Sequence, residues 1–183
     1  MGHRHHRRGH VVVAGEDRGG RLALGQELLG GGEPRAVGVV ALLHQDAVQA
    51  DAALLPTLVS ETIRYQTPVI HMRRTATRDA ELAGKAIARG DKVVMWYVSG
   101  NRDETAMEEP ERFFVGRAKP RHHLAVGAGI HRCVGDRLAE MQLRILWEEL
   151  LKRDLAIELA GPPVRLYSNF IRGIRSLPVR IRA

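Results

Sequence analysis

The sequence predicts a mainly α-helical protein with small β-sheets, of the α+β class. Residues 51–66 and 134–153 carry apolar side chains at helical spacing, so each stretch is expected to form a helix with a buried face. Short alternating runs separated by glycine and proline lie between and after them, which is typical of small antiparallel sheets. With 183 residues, 44% of them apolar and 27% charged, the chain is long enough to bury a core.

The N-terminal segment has a different composition from the rest. Residues 1–56 contain ten of the nineteen glycines and five of the nine histidines, but no Ser, Thr, Lys, Asn, Ile or aromatic residue. Aromatic and branched side chains supply much of the burial that offsets the entropy of ordering a chain. We therefore expect residues 1–50 to be either disordered or translated in a frame that the original gene did not use. Residues 51–183 are expected to form the folded domain.

The first helix is predicted over residues 51–66, because apolar residues recur every three or four positions and Pro68 forces its predecessor out of the helical conformation. The segment 101–121 is charged and poor in apolar residues, which indicates coil with one short helical stretch. Three strand-like runs lie between these segments: residues 69–74, residues 81–87 around Gly84, and residues 92–98.

The second helix is predicted over residues 134–153 and carries two adjacent apolar stripes, so we expect most of its girth to be buried. The tail, residues 155–182, alternates around Gly161 and Gly173 and predicts a terminal hairpin with Val179 and Ile181 facing inward. The first stripe consists of Ala139, Leu143, Leu146, Trp147 and Leu150, and the second of Val134, Leu138, Met141 and Ile145.

Cys133 is the single cysteine and precedes the second helix. Unpaired N–H groups and the positive end of the helix dipole favour a thiolate there, which is the form that ligates metals. Because Gly127 and Gly129 have no side chains, the backbone of the loop before Cys133 can lie flat against a bound group. Gly135 lets the second helix come close to the same group. These features fit a flat cofactor with a central metal, such as haem. The alternative is a structural cysteine buried in a glycine-rich turn.

The run from Val126 to Gly135, VGAGIHRCVG, resembles the haem-ligating loop of the cytochromes P450, whose pattern is Phe-Gly-x-Gly-x-His-x-Cys-x-Gly. Every fixed position matches except the first, where Val126 replaces an aromatic residue. Upstream, Glu61 and Arg64 are spaced i, i+3 on one helix face and match the Glu-x-x-Arg pair of that family. The resemblance extends from about residue 51 to the C-terminus.

The resemblance implies the C-terminal half of the cytochrome P450 fold, with haem b (iron protoporphyrin IX) as cofactor. Cys133 would be the axial metal ligand and the catalytic thiolate, with Gly127, Gly129 and Gly135 bordering the cofactor. His131 and Arg74 match positions that hold the haem propionates. Arg73 is the alternative candidate for the position assigned to Arg74.

Two further groups of residues follow from the same resemblance. Arg112 stands at the place of an arginine that joins Glu61 and Arg64 in a buried triad, whose disruption would cost about 3–5 kcal/mol. Four residues match positions that line the substrate cavity, although they are equally compatible with plain core contacts: Val69, Ile70, Asn169 and Phe170.

The implied activity is that of a monooxygenase that inserts one oxygen atom of dioxygen into a hydrophobic substrate, an alkyl chain or a fatty acid. A ferredoxin-type protein near Arg132 would supply the electrons. The run from His71 to Ala76 is similar to soluble bacterial members that hydroxylate such substrates. Full-length members are longer, and no Thr precedes Thr57, so the distal acid–threonine pair of the family has no match. We therefore expect a truncated member that retains haem weakly and is inactive by itself.

Two features of the composition bear on location. No apolar run approaches the roughly 20 residues that a membrane span needs, and the apolar run at residues 11–14 is too short for a secretory signal. A lone cysteine forms no internal disulfide and fits a reducing compartment. We therefore expect a cytoplasmic protein without a membrane span.

Two other classes of function remain as alternatives. A zinc module would use three histidines and Cys133 as ligands. The sequence lacks a Cys-x-x-Cys pair, however, and the last two ligands are too close in the sequence for tetrahedral coordination. A nucleic-acid module would use the net charge of +7. Residues 1–56 have six arginines against six acidic residues, however, so no nucleic-acid partner is expected. The zinc ligands would be His122, His123, His131 and Cys133.

Overall fold

The computed structural model describes the backbone of residues 12–14 and all of residues 44–182. Its two longest helices and its small sheets confirm the predicted α+β class. The predicted disorder or altered reading frame of the N-terminal segment lies almost entirely outside the described residues. The elements are β1 (Val12–Ala14), α1 (Gln45–Ala50), α2 (Leu55–Gln66), β2 (His71–Thr75), β3 (Ala80–Leu82), β4 (Lys85–Ile87), β5 (Lys92–Trp96), α3 (Tyr97–Gly100), α4 (Asp136–Lys152), β6 (Ala156–Leu159), β7 (Val164–Arg165), β8 (Ile174–Ser176) and β9 (Val179–Arg182).

Local contacts at both ends determine the length of α2. A short 3₁₀ turn precedes it, and the Asp51 carboxylate accepts a hydrogen bond from Ala53 N (2.9 Å) in that turn. At the other end Thr67 has a left-handed backbone (φ 45°), and its N–H donates to Ile63 O (2.9 Å). Pro68 follows immediately, so the predicted end of this helix agrees with the structure.

The helix α1 lies before the predicted domain start at residue 51. It has six residues and contributes the fully buried Val48 to the core. The packing therefore extends upstream of the composition change that suggested a boundary. Because most of residues 1–50 lie outside the described part of the chain, the division itself stays a prediction.

The described strands form antiparallel pairs. One sheet has the order β1-β5-β2. The run predicted as a single strand over residues 81–87 is instead divided at Gly84 into β3 and β4, which form a hairpin. The strand expected to run to Val98 ends at Trp96, because the N–H of Tyr97 donates to Ile70 O (3.0 Å) and begins α3. The tail forms two ladders, β6–β9 and β7–β8, where one hairpin was predicted.

The core lies between α2 and α4. Trp147 of α4 is buried there, but the second stripe of α4 is exposed, so the prediction of a helix buried on most of its girth is wrong for the described residues. Val179 and Ile181 are also exposed, which contradicts their predicted inward orientation. None of the described helices is long and apolar enough to cross a membrane. The core consists of Val48, Leu55, Leu58, Val59, Ile63, Phe113, Ala125 and Trp147.

Candidate functional site

Cys133 lies at the surface, at the end of a short loop that leads into α4. Its N–H donates to Val126 O (2.8 Å), and its carbonyl accepts a hydrogen bond from Asp136 N (3.3 Å) at the start of the helix. The thiol is exposed, which excludes the alternative of a buried structural cysteine. The loop therefore holds this residue by its backbone and leaves its sulfur accessible.

Two glycines give the loop its shape. Gly127 and Gly129 have φ values of 76° and 60°, which lie in the left-handed region that favours glycine. A Cβ at Gly127 would lie 3.1 Å from His131 O and 3.4 Å from the Tyr97 hydroxyl, whereas a Cβ at Gly129 would meet nothing within 4 Å. Gly127 is thus required by packing inside the loop, while Gly129 leaves space on its outer side.

The surface around the sulfur is apolar. Ile130 and Val134 flank Cys133 in the sequence and are almost fully exposed. Leu138, one turn into α4, is also exposed. Isolated exposed apolar residues are ordinary, but a group of them beside an accessible thiol is typical of a surface that binds an apolar group.

Glu61 and Arg64 form a fully buried ion pair on α2. Their shortest contact joins Arg64 Nη2 to Glu61 Oε1 (2.7 Å), and both side chains have 0% exposure. Arg64 also donates to three backbone carbonyls, those of Asn101 (2.9 Å), Pro110 (2.8 Å) and Arg112 (3.0 Å). Together with two bonds to Glu61, these bonds use all five N–H groups of the guanidinium.

Arg117 is the second cation on Glu61, and the prediction that the Arg112 side chain completes the triad is wrong. Arg117 Nε lies 3.0 Å from Glu61 Oε2, and its side chain is 7% exposed. The Arg112 side chain is 66% exposed and pairs with Glu109, while its carbonyl oxygen faces inward. The two arginines lie in one coil without periodicity, so the sequence did not indicate which of them turns inward.

Opposing effects act on the pKa of the Glu61 carboxyl. Burial raises it, but hydrogen bonds from Arg64 and Arg117 and their positive charges outweigh burial and lower the pKa below its usual value. Glu61 therefore stays ionised, and the buried charges balance only while both arginines are in place.

Asn101 connects this buried network to the loop of Cys133. Its side chain is fully buried; Nδ2 donates to Thr67 Oγ1 (2.9 Å) and Oδ1 accepts from Leu124 N (2.6 Å). Leu124 O in turn accepts from Gly127 N (2.9 Å). An amide side chain in a charged coil carries no sequence signal for this role, so the role of Asn101 could not be predicted.

The residues expected to line a substrate cavity lie at two adjoining segments. Ile70 N donates to Phe170 O (2.9 Å), and Val69 forms an isolated bridge with Ile171. Asn169 is exposed in the same turn as Phe170. The structure thus brings the segment after α2 next to the turn between β7 and β8. A separate groove of about 420 Å³ between α2 and α4 is lined by other residues.

The two residues expected to hold propionates lie in different parts of the fold. His131 is exposed in the loop of Cys133. Arg74 is half-buried on β2, where its Nη1 donates to Arg73 O (3.0 Å), and Arg73 is exposed. The hydrogen bond of the Arg74 side chain therefore stays within β2.

The proposed zinc ligands do not come together. Within residues 44–182, no group of three or more His, Cys, Asp or Glu side chains is arranged to hold a metal ion. His123 is buried, whereas His131 and Cys133 are exposed. The zinc alternative therefore has no support in the described part of the chain.

Comparison with known families agrees with this geometry. The sequence profile described as Cytochrome P450 matches residues 43–155. The chain belongs to the cytochrome P450 family. The matched span contains the Glu61–Arg64 pair and the whole loop of Cys133, so the resemblance inferred from those motifs is confirmed.

Two of the curated relatives come from bacteria. Linalool 8-monooxygenase of Pseudomonas putida is 48% identical over 134 residues, which are 73% of this chain and 33% of that protein. Methyl-branched lipid omega-hydroxylase of Mycobacterium tuberculosis (strain ATCC 25618 / H37Rv) is 44% identical over 127 residues, 69% of this chain and 29% of that protein. The chain thus spans about a third of the length of these cytochrome P450 relatives.

The structure of this chain matches part of the fold of a solved cytochrome P450. Cytochrome P450-153 from Novosphingobium aromaticivorans superposes with a TM-score of 0.75 at 48% sequence identity, covering 80% of this chain and 38% of that one. The expectation that the chain adopts part of the cytochrome P450 fold is confirmed.

The family's cofactor is a haem bound through a thiolate, and the residues around Cys133 fit such a group. The thiol is accessible, Gly129 leaves open space beside it, and Ile130 and Val134 offer an apolar surface. A thiolate is a ligand that haem iron accepts, and an apolar surface matches the face of a porphyrin.

Proposed function

We propose that this chain carries the C-terminal, haem-binding region of a haem-thiolate monooxygenase. The enzyme inserts one oxygen atom of dioxygen into a hydrophobic substrate. The observation that carries the proposal is the accessible Cys133 sulfur, held by a backbone bond to Val126 O at the start of α4. When bound, the haem supplies the redox chemistry that activates dioxygen.

In this proposal each residue of the loop has a defined part. Cys133, at the N-terminal end of α4, would hold the haem iron through its thiolate sulfur. Gly127 fixes the turn and Gly129 keeps side chains away from the cofactor. His131 and Arg74 hold the propionates of haem b, and Gly135 lets α4 approach the ring.

Glu61, Arg64 and Arg117 act on the site through the backbone. Arg64 holds the carbonyls of the coil that precedes the loop, and Arg117 neutralises the remaining charge of Glu61. Their task in the proposed enzyme is to keep the loop in position, so that the sulfur stays where the iron binds.

We propose an alkyl chain or a fatty acid as the substrate. Supporting this, one relative is named a methyl-branched lipid omega-hydroxylase, and another is named linalool 8-monooxygenase. The adjoining segments that contain Val69, Ile70, Asn169 and Phe170 would line the cavity. Three of these four residues are apolar, which suits a substrate of that kind.

We propose a ferredoxin-type protein as the electron donor, binding near Arg132. The Arg132 side chain is 38% exposed and pairs with Asp136, so an acidic partner would compete for it at the protein surface. In an intact relative, charge reversal at this position should slow reduction, and an unchanged rate would count against the site.

The single cysteine, kept as a thiol, supports a cytoplasmic location for the enzyme.

Hemin titration of the 183-residue chain tests the assignment of Cys133. Because Cys133 is the single cysteine, its alkylation rate measures the accessibility of that sulfur directly. We expect saturating hemin to slow alkylation and the reduced carbon monoxide complex to have a thiolate-type absorption band. Cys133→Ala should abolish that band.

A matched variant separates thiolate ligation from adventitious binding by the nine histidines. His122→Gln removes an exposed histidine upstream of the loop and should keep both effects. The proposal is wrong if hemin leaves the alkylation rate unchanged, or if the thiolate-type band survives in Cys133→Ala.

A further inference from the structure

The side chain of Asn101, the residue that follows α3, is fully buried between a hydrogen-bond acceptor and a donor. The acceptor is the Thr67 hydroxyl oxygen, whose own proton is donated to Arg64 O (2.6 Å). The donor is the N–H of Leu124. A side-chain amide satisfies both groups, since Nδ2 donates to Thr67 Oγ1 (2.9 Å) and Oδ1 accepts from Leu124 N (2.6 Å). An ionised carboxylate or an apolar side chain of this size cannot form both bonds.

The backbone that carries this amide is itself held at several points. Asn101 N donates to Tyr97 O (2.9 Å), and Asn101 O accepts from Arg64 Nη1 (2.9 Å). At the start of α3, Tyr97 N donates to Ile70 O (3.0 Å). The short helix and the residue after it are therefore anchored to two other segments of the chain, and the amide is presented in a defined place.

Two further hydrogen bonds lead from Leu124 to Cys133. Leu124 O accepts from Gly127 N (2.9 Å), and Val126 O accepts from Cys133 N (2.8 Å). Each bond joins main-chain atoms, so the position of Leu124 is passed along the loop without depending on the rotamer of a side chain. The Asn101 amide thus stands at the start of a hydrogen-bonded path that ends at the cysteine.

The packing around Leu124 shows why a directional contact is needed there. A Cβ at Gly100 would lie 2.7 Å from Leu124 Cδ1, so the absence of a side chain on Gly100 makes room for Leu124. The next residue, Ala125, is buried in the core. Apolar contact has no preferred direction, whereas a hydrogen bond has one. Burial of Ala125 holds the loop against the core, and the bond from Leu124 N to Asn101 determines its orientation.

We propose that Asn101 is a positioning residue for Cys133, acting through Leu124. Its amide sets the path of the loop and thereby the place at which the sulfur is presented. The use of that place for binding iron rests on the function proposed above. The positioning itself is a property of this chain and can be measured without haem.

Amide hydrogen exchange of the 183-residue chain measures the positioning. The readout is the exchange rate at Gly127 N and Cys133 N, neither of which contacts Asn101, divided by the rate of the α2 amides, which report opening of the core. Asn101→Ala leaves Leu124 N without its acceptor, so we expect this ratio to rise about tenfold. Asn101→Asp keeps the acceptor but buries a charge, so we expect a less stable fold with the ratio of the parent chain.

The matched control is Gln142→Ala, which removes an exposed amide side chain on α4 and should leave the ratio unchanged. All variants are measured in sucrose, which favours the compact state and keeps Asn101→Ala folded, as circular dichroism verifies. The proposal is overturned if the ratio in Asn101→Ala equals that of the parent chain, if it rises tenfold in Asn101→Asp, or if it rises as much in Gln142→Ala.

The spectrum of the reduced carbon monoxide complex separates this proposal from the haem assignment. With hemin present, we expect the thiolate-type band to weaken in Asn101→Ala and to persist in Asn101→Asp. A band of parental intensity in Asn101→Ala would contradict a role for Asn101 in presenting the sulfur to iron. If the parent chain shows no such band while the exchange ratio changes as expected, the haem assignment fails and the positioning by Asn101 stands.

Discussion

Arg112 and Arg117 lie five positions apart in one coil, yet only one of them balances a buried charge. Arg117 is buried against Glu61, and its guanidinium also lies 4.4 Å from the centre of the Phe114 ring. Arg112 contributes only its carbonyl oxygen to the network. At the scale of single residues, motif matching identified Glu61 and Arg64 but selected the wrong arginine, because the direction of a coil side chain depends on tertiary contacts.

Replacing these two arginines should therefore have unequal effects on stability. Arg117→Gln leaves part of the Glu61 charge buried and unpaired, so we expect a loss of about 3 kcal/mol in the free energy of unfolding. Arg112→Gln removes a solvent-exposed pair with Glu109 and should cost less than about 1 kcal/mol. Urea denaturation of both variants measures the difference. Equal losses would contradict the assignment of Arg117.

His123 should make the stability of the chain sensitive to mild acid. Its ring is 7% exposed and neither nitrogen has a hydrogen-bond partner among the described residues. Burial, with a contribution from the Arg132 charge, lowers the pKa of His123 to about 4 from an ordinary value of 6.5. As the pH falls, His123 therefore binds a proton at a higher pH in the unfolded chain than in the folded chain. Stability is complete above pH 6.5 and is lost progressively toward pH 4, by about 3 kcal/mol in total.

The replacement His123→Leu should remove that pH dependence while keeping the site filled with an apolar side chain. Free energies of unfolding measured at intervals from pH 7 to pH 4 should then be flatter for the variant than for the parent chain. Below about pH 4.5 further loss of stability comes from carboxyl groups with lowered pKa values, among them Glu61, Asp103 and Glu149. An unchanged slope in His123→Leu would rule out His123 as its source.

Helix α4 shows at the element scale what periodicity can and cannot predict. Its existence and approximate bounds, residues 134–153 against Asp136–Lys152, follow from the spacing of apolar residues. The spacing does not predict which apolar stripe is covered. It indicates that a face prefers burial, but it does not identify the segment that packs against that face. Within the described residues, Trp147 is buried while Leu138, Met141 and Ile145 are exposed.

Two substitutions on α4 should separate a buried position from an exposed one. Trp147→Ala opens a cavity in the core between α2 and α4, so we expect a loss of about 3–5 kcal/mol. Ile145→Ala removes an exposed side chain and introduces a better helix former, so the change should stay within about 0.5 kcal/mol. Chemical denaturation monitored by circular dichroism compares them. A large loss in Ile145→Ala would mean that this face is covered in solution.

At the scale of the whole molecule, the family could be recognised from the sequence because its motifs are local. The run around Cys133 and the Glu61–Arg64 pair occupy few positions, and each is defined by backbone geometry and charge. The two C-terminal ladders and the coverage of α4 depend on contacts between distant segments, and no local pattern encodes those. The chain spans about a third of the length of the cytochrome P450 relatives.

Exposure of the Cys133 loop predicts that the 183-residue chain retains haem weakly. Within residues 44–182 the thiol and its apolar neighbours face solvent, so a porphyrin on Cys133 would be covered on one side only by these residues. We expect hemin to transfer quickly to an apoprotein acceptor and substrate oxidation to be undetectable. Stopped-flow absorbance measures the transfer. Tight stoichiometric retention of hemin would contradict this prediction.

The carbonyl contacts of Arg64 have a consequence for how the irregular segment between α3 and the Cys133 loop behaves. One guanidinium fixes the oxygens of Asn101, Pro110 and Arg112, so the ends of a stretch without regular structure are clamped by a single side chain. Insertions engineered between these anchors would be tolerated only where the span from Asn101 to Pro110 can bulge outward. Shortening that span should break the hydrogen bonds from Arg64 to the carbonyls of Asn101 and Pro110, and it should displace the Cys133 loop as well.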